Sequence, residues 1–287
     1  MAEHMHKQQF IYSEHTGEYV EIQGLRVHVM AAGDGDPVLL IHGVGQSAYT
    51  WRRSFDELSK HFLVIAVDMI GYGYSDKPDL TYSIEENSEF LLALLNTLRI
   101  KQTHLVAIGS GAVYALDFMI HYPARVGRAV CLAPGGVTPD MPAILRTMAS
   151  PTFSRAASWL FTEGQVRRIL RSCMFDQTCL DERDMDEIYE TLALPGSKEV
   201  LCRSLKNFHE EEVVSRLRMV PHEVLYCWGS EDRWRPLEEH NPYVAATPES
   251  SLYIMRNCGH LAHEEKPERF NEVVTSFLDD GLVPNEA

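Results

Sequence analysis

The chain has 287 residues, of which 45% are hydrophobic and 23% are charged, as is typical of a soluble globular protein. A chain of this length buries about three quarters of its unfolded surface, so it needs neither disulfides nor a structural metal to fold. Acidic residues outnumber basic ones by 41 to 26, which gives a formal net charge of −15. Such a charge repels nucleic-acid backbones, and no apolar run approaches the roughly 18 residues of a membrane span. We therefore expect no nucleic-acid or membrane partner.

The six cysteines predict a reducing compartment. None belongs to a Cys-x-x-Cys pair, and several lie in apolar runs such as Val130-Cys131-Leu132, which is typical of buried thiols. The first ten residues contain no apolar segment of the kind that secretion signals carry. We expect a cytoplasmic protein without a metal site, and nothing in the sequence indicates an oligomeric state.

The predicted elements begin with a hairpin, because Tyr19–Ile22 and Leu25–Met30 alternate apolar and polar residues around Gln23-Gly24. Short continuous apolar runs then predict strands that are buried on both faces. These runs are Val38–Ile41, Leu63–Val67, Leu105–Ile108, Ala129–Leu132, Val224–Trp228 and Leu252–Met255. Helical patterns between them cover Glu85–Leu98, Ala112–His121, Glu238–Ala245 and Pro267–Leu278. The alternation predicts an α/β fold with a doubly wound, mostly parallel sheet.

One long segment interrupts this alternation. Residues 138–218 show helical periodicity and no strand-like run. A helical insertion between two strands predicts a cap over the carboxyl edge of the sheet. The predicted domains are therefore an α/β core of residues 9–137 and 219–281 and a helical cap of residues 138–218.

Polar and glycine-rich motifs follow the predicted strands directly, where open α/β sheets bind their ligands. The motifs are His42–Ser47, Asp68–Pro78, Gly109–Gly111, Gly229–Arg233 and Asn257–His260. In this order they resemble the α/β-hydrolase superfamily over nearly the whole chain, from about residue 19 to residue 278. The resemblance implies a capped fold and a catalytic nucleophile, acid and histidine in that chain order.

The nucleophile of that superfamily stands on a tight strand-to-helix elbow, with small residues two positions before and two after it. Ala107 and Gly111 match these small positions, so the nucleophile position is Gly109, which has no side chain. A shift of one residue would make Ser110 the nucleophile but would put the β-branched Ile108 at a crowded position. Glycine relieves backbone strain here and leaves room for a water or a substrate atom.

The same resemblance implies roles for four further residues. Asp232 would orient the imidazole of His260, which would act as general base or acid; a solvated loop aspartate and a structural histidine are the alternative roles. The backbone N–H groups of Val44 and Ser110 would form an oxyanion hole, which the missing nucleophile side chain does not remove.

Side chains on the strand-end loops and in the cap are candidates for contact with a substrate, because ligand pockets are lined mainly by apolar and aromatic groups. For the cap aromatics, core packing is the alternative role. The predicted substrate-contacting residues are His42, Gly43, Trp51, Tyr72, Trp159 and Trp234.

These features predict an enzyme for a small, apolar carbonyl or ester-type compound that uses His260–Asp232 acid–base chemistry without a side-chain nucleophile. Lyase, cyclase, decarboxylative and cofactor-free oxygenation chemistry stay open, as does direct activation of water. Two alternatives are a serine hydrolase for an ester or a C–C bond in which Gly109 replaces the serine, and a non-catalytic ligand-binding protein. No cofactor is implied.

A dinucleotide-binding interpretation competes with this one. The stretch Gly43–Ala48 matches Gly-x-Gly-x-x-Gly/Ala after a strand, and Asp68 ends the next strand. However, His42 stands where a tight glycine turn is needed, and Asp232 and His260 would have no role. A nicotinamide-dependent oxidoreductase is therefore the less favoured prediction.

Overall fold

The computed structural model describes residues 17–136, 138, 141–150, 152–154, 158 and 160–285, and an eight-stranded sheet forms its centre. The strands are β1 Glu18–Ile22, β2 Leu25–Ala32, β3 Pro37–Ile41, β4 Leu63–Val67, β5 Thr103–Ile108, β6 Val126–Leu132, β7 Val224–Gly229 and β8 Ser250–Met255. They lie in the order β1-β2-β4-β3-β5-β6-β7-β8. The pairs β1–β2 and β2–β4 are antiparallel and the other pairs are parallel.

Helices cover both faces of this sheet. They are α1 Phe55–Leu58, α2 Ile84–Thr97, α3 Ser110–His121, α4 Ala143–Met148, α5 Glu163–Cys173, α6 Glu182–Ala193, α7 Ser197–Lys206, α8 Glu210–Val214, α9 Asn241–Ala246, α10 Ala262–Glu265 and α11 Pro267–Asp280. Val38 and Leu40 pack into one buried cluster with α1 and α11, whereas Leu39 and Ile41 pack into the other with α2 and α3. The predicted doubly wound, mostly parallel fold is confirmed. No described helix is both long and apolar enough to cross a membrane.

The predicted elements match the observed ones closely, except that one predicted helix is divided into two elements. The predicted helix over Glu238–Ala245 is split into a 3₁₀ turn, Leu237–His240, and helix α9. Pro242 explains the split, because its ring clashes with the carbonyl four residues earlier in a continuing helix and it has no N–H to donate.

The segment between β6 and β7, called here the inserted segment, carries α4 to α8, and its described residues contain no strand. A buried ion cluster ties it to the rest of the chain. Arg52, which is 8% exposed, donates from Nε to Asp184 of α6 at 2.8 Å and pairs through Nη2 with Glu264 of α10 at 2.5 Å. Removing one partner from such a cluster leaves a buried charge unpaired, which costs on the order of 3–5 kcal/mol.

Helix α3 begins very close to the end of strand β3. A β-carbon on Gly111 would lie 2.3 Å from the carbonyl oxygen of His42, a distance that no side chain can adopt without moving backbone. Glycine at this position therefore sets how near the start of α3 lies to the edge of the sheet.

The substitution Gly111→Ala tests this contact. We expect the free energy of unfolding in urea to fall by about 2 kcal/mol or more, because the added methyl group overpacks against rigid backbone. Gly164→Ala is the matched control, because an added β-carbon there meets nothing within 4 Å inside helix α5 and alanine favours the helix. Equal effects of the two substitutions would contradict the proposed role of Gly111.

Candidate active site

The turn between β5 and α3 places Gly109 at the carboxyl edge of the sheet. Its backbone has φ 56° and ψ −124°, a conformation that costs a residue with a side chain about 1–3 kcal/mol. The Gly109 N–H donates to the carbonyl of Leu132 at 2.9 Å, and the Gly109 carbonyl accepts from the N–H of Gly135 at 3.1 Å. The neighbouring strand end therefore holds the turn. The contact of Gly111 with β3 supports Gly109, rather than Ser110, as the centre of the elbow.

His260 and Asp232 lie side by side next to this turn. Nδ1 of His260 is 2.8 Å from Oδ2 of Asp232, and the other carboxylate oxygen accepts the N–H groups of Trp234 at 2.8 Å and Arg235 at 2.9 Å. Because the carboxylate engages Nδ1, the imidazole presents Nε2 to the elbow. A β-carbon on Gly109 would lie 3.8 Å from that Nε2 atom.

The loop that carries His260 is fixed from two sides. The His260 N–H donates to the carbonyl of Cys173, at the end of α5, at 2.7 Å. The carboxylate of Glu265 accepts the N–H of Gly259 at 2.6 Å and, from the inserted segment, the N–H of Asp176 at 2.8 Å. Burial raises the pKa of Glu265. The imidazole is thus positioned by the inserted segment as well as by the sheet.

The predicted oxyanion-hole donors are both at the elbow, but one of them is already engaged. The N–H of Val44 donates to Oγ of Ser110 at 2.6 Å. Ser110 is the first residue of α3, where the backbone N–H has no partner within the helix and the helix dipole favours negative charge. The Val44 N–H therefore contacts the protein itself, and the role of the Ser110 N–H in an oxyanion hole stays a prediction.

The profile of the Alpha/beta hydrolase family matches residues 38–273. The chain belongs to the α/β hydrolase family. It is 31% identical over 278 residues to a 2-hydroxymuconate semialdehyde hydrolase of Pseudomonas putida, across 93% of this chain and 95% of that protein. It is 26% identical to a 2-hydroxy-6-oxo-6-phenylhexa-2,4-dienoate hydrolase of Comamonas testosteroni, across 90% and 93%.

Solved structures agree with this assignment. A meta-cleavage product hydrolase from Pseudomonas fluorescens superposes with a TM-score of 0.80 at 26% identity, over 93% of this chain and 98% of that one. A carboxylesterase from Bacillus subtilis, at 21% identity and a TM-score of 0.79, shares the fold.

The cavity of this α/β hydrolase lies between the elbow and the inserted segment. Its floor includes Gly109, Ser110 and His260, and its walls are apolar side chains of α4 to α7. No Lys, Arg, Asp or Glu is found among the described residues that line it. Most of the wall was missed from sequence, although the spacing of Val166, Ile169, Leu170 and Cys173 on α5 signals one apolar helix face.

Two of the predicted substrate-contacting residues, Gly43 and Trp234, line the cavity, and Trp159 lies outside the described residues. The other three are corrected by the structure, since they do not line it. The Trp51 ring stacks on Phe270 in the core, and the Tyr72 hydroxyl donates to Ser204. His42 joins two loops: Nδ1 donates to its neighbour's carbonyl, Gly43 O, and Nε2 accepts the Met69 N–H.

The dinucleotide interpretation is not supported, because Asp68 is fully buried. Its carboxylate accepts from His28 Nδ1 at 2.8 Å, from the Ala48 N–H at 2.7 Å and from the Tyr74 N–H at 2.9 Å. It is therefore not available to a ribose hydroxyl. Nowhere in the described chain do three or more His, Cys, Asp or Glu side chains group as a metal site would require.

A second buried histidine, His263, gives a testable pH dependence. Its Nε2 atom is 2.9 Å from Oγ1 of Thr50, and burial lowers the pKa of His263 from 6.5 to about 4. The unfolded chain therefore binds a proton here at a higher pH than the folded chain. The stability due to the neutral imidazole is complete above pH 6.5 and is lost as the pH falls towards 4.

We expect the free energy of unfolding to fall by about 2 kcal/mol less between about pH 7 and pH 5 in His263→Gln than in the parent. Denaturant titrations at both pH values measure this difference. His61→Gln, at an exposed histidine, is the control and should keep the parent's pH dependence. An unchanged pH dependence in His263→Gln would contradict the low pKa.

Proposed function

We propose that this protein is an enzyme that acts at the carbonyl group of a small, uncharged, apolar compound, with His260 and Asp232 as its acid–base pair and without a covalent intermediate. The observation that carries the proposal is the direction of the imidazole. Nε2 of His260 points at the side-chain position of residue 109, where a β-carbon would lie 3.8 Å away, and glycine offers no nucleophile there.

The room beside Gly109 suits a water molecule. The nearest other atom to a β-carbon at this position is the Gly135 carbonyl oxygen, at 4.0 Å. In the proposed reaction Nε2 takes a proton from this water while the water oxygen bonds to the substrate's carbonyl carbon. The carbonyl oxygen becomes negative at the N-terminus of α3, where the Ser110 N–H stabilises it.

The second half of the reaction returns the proton. The tetrahedral intermediate collapses, the bond to the leaving oxygen or carbon breaks, and the leaving group takes the proton from His260. Asp232 stabilises the imidazolium in between and fixes its tautomer. The same base can instead remove a proton from the carbon next to the carbonyl group, which would give a lyase or cyclase reaction through an enolate.

The cavity lining supports an uncharged substrate. The name of the Comamonas testosteroni relative's substrate, a dienoate, denotes a carboxylate, but neither Lys nor Arg is found among the described residues that line this cavity. The nearby guanidinium of Arg235 lies behind Gly135 and is paired with Glu210 and Glu239, each at 3.0 Å. A carboxylate would therefore lose its hydration without gaining a cationic partner among these residues.

One observation favours a second candidate, a serine hydrolase for an ester or a C–C bond in which Gly109 stands in place of the serine. The backbone of Gly109 has a φ of 56°, at which a residue with a side chain would be strained, and Nε2 of His260 faces the side-chain position of residue 109. Such a site would need only a hydroxymethyl group to form an acyl-enzyme.

Gly109→Ser separates the two candidates. We expect that the parent protein is not labelled by a fluorophosphonate, which needs an activated hydroxyl. We also expect the parent protein to convert an uncharged compound from a panel of aryl ketones, diketones and esters. The new side chain should fill the water's position, lower that conversion at least tenfold and give ester hydrolysis only as a side reaction.

A gain in ester hydrolysis of up to about 10⁶-fold in Gly109→Ser, with no reaction of the parent protein, would instead support the serine hydrolase. His260→Ala should abolish activity in either case, and Asp232→Asn should lower it by up to about 10⁴-fold. Activity that survives His260→Ala would contradict both candidates.

Matched ligands test the charge of the substrate. We expect 4-phenylbutanamide and methyl 4-phenylbutyrate to raise the melting temperature of the protein, whereas 4-phenylbutyrate at the same concentration does not. The amide is the control for size, because it differs from the carboxylate mainly in charge. Tighter binding of the carboxylate, measured by calorimetry, would contradict the proposed substrate class.

A further inference from the structure

The side chain of Ser110 has no role in the chemistry described so far. It is 5% exposed and lines the floor of the cavity. Its Oγ atom accepts the N–H of Val44 in a short hydrogen bond of 2.6 Å. The amide that the family resemblance assigns to a substrate oxygen is therefore directed at the Ser110 hydroxyl instead.

Tyr114 lies one helical turn after Ser110 on α3, on the same face of the helix. Its hydroxyl is buried, the residue being 1% exposed, and makes no hydrogen bond of normal geometry with any described residue. Burial raises the pKa of Tyr114, and the neighbouring hydroxyl of Ser110 opposes that rise. A buried phenol without a partner is costly, and the Ser110 hydroxyl is its polar neighbour on this face of the helix.

The hydrogen bond from Val44 leaves the Ser110 hydrogen for another partner. A serine oxygen has two lone pairs and one hydrogen, and the Val44 N–H takes one of the lone pairs. Ser110 also lines the cavity beside Gly109 and His260, so its hydrogen can be donated to a ligand that binds there.

We propose that the Ser110 hydroxyl is a side-chain donor of the anion-binding site, and that it contacts a substrate oxyanion in place of the Val44 amide. Val44 is a positioning residue, because its N–H donates to Oγ and so strengthens the hydroxyl as a donor. The ligand class is a planar oxyanion such as an enolate or a phenolate. The inference rests on the proposed function only in placing the substrate oxygen at the N-terminus of α3.

Binding of 4-nitrophenol tests the proposal without any turnover. The ionised fraction of the bound phenol is read from its absorbance at one fixed pH, in a His260→Ala background, so that the charge of the histidine does not contribute. We expect Ser110→Ala to weaken binding of the phenolate by about tenfold or more, since a hydrogen bond to a charged acceptor is lost. Binding of uncharged phenol should change by less than about twofold.

Two further variants sharpen the comparison. Ser110→Cys keeps a side chain of similar shape with a weaker donor, so its loss should be intermediate, and it serves if Ser110→Ala does not fold. Ser204→Ala removes a buried hydroxyl that pairs with Tyr72 outside the cavity lining, and it should have no effect.

Unchanged or tighter phenolate binding in Ser110→Ala would overturn the proposal; tighter binding would show that the hydroxyl merely blocks the Val44 amide. Fluorophosphonate labelling of Ser110 would also overturn it, since the residue would then be a nucleophile. A failure of the proposed function is distinguishable, because the phenolate measurement needs neither Gly109 chemistry nor an active histidine.

Discussion

The close approach of helix α3 to the end of strand β3 is the contact on which the rest of the site depends. Glycine at position 111 allows it, because a β-carbon would lie 2.3 Å from the carbonyl of His42. This approach brings the first residue of α3 within hydrogen-bond distance of Val44. It also turns the side-chain position of Gly109 towards His260. One backbone contact therefore sets the position of the helix N-terminus on the floor of the cavity.

The inserted segment turns this edge of the sheet into an enclosed site. Its helices supply apolar walls, while Arg52, Asp184 and Glu264 form buried ion pairs that join it to the core. Excluding water lowers the local dielectric constant, so a charge on His260 interacts more strongly with Asp232 than it would in water. The same helices hold the histidine loop through the carbonyl of Cys173. The enclosure of the cavity and the alignment of His260 thus come from the same packing.

Local sequence signals were sufficient for the sheet, whereas the pairing of His260 with Asp232 was predicted from the resemblance of the strand-end motifs to the α/β-hydrolase superfamily. Continuous apolar runs identify buried strands, and the residues that follow them must meet at one edge of the sheet. The environment of a single aromatic or polar group was not predictable in this way. Trp51 and Trp234 both follow strand ends, yet the first packs in the core and the second lines the cavity. Only the packing of helices that are distant in the sequence decides whether such a side chain lies in the core or lines the cavity.

The pairing of Val44 with Ser110 shows the same limit, because it joins residues 66 positions apart through a side chain whose rotamer depends on the whole site.

The shape of the turn at Gly109 does not depend on a side chain at that position. Its shape is imposed by Leu132, Gly135 and the glycine at 111, and an added β-carbon would meet nothing closer than 3.8 Å. The surrounding backbone therefore keeps its shape whether or not position 109 carries a small side chain, and the identity of that one residue decides which atoms His260 faces.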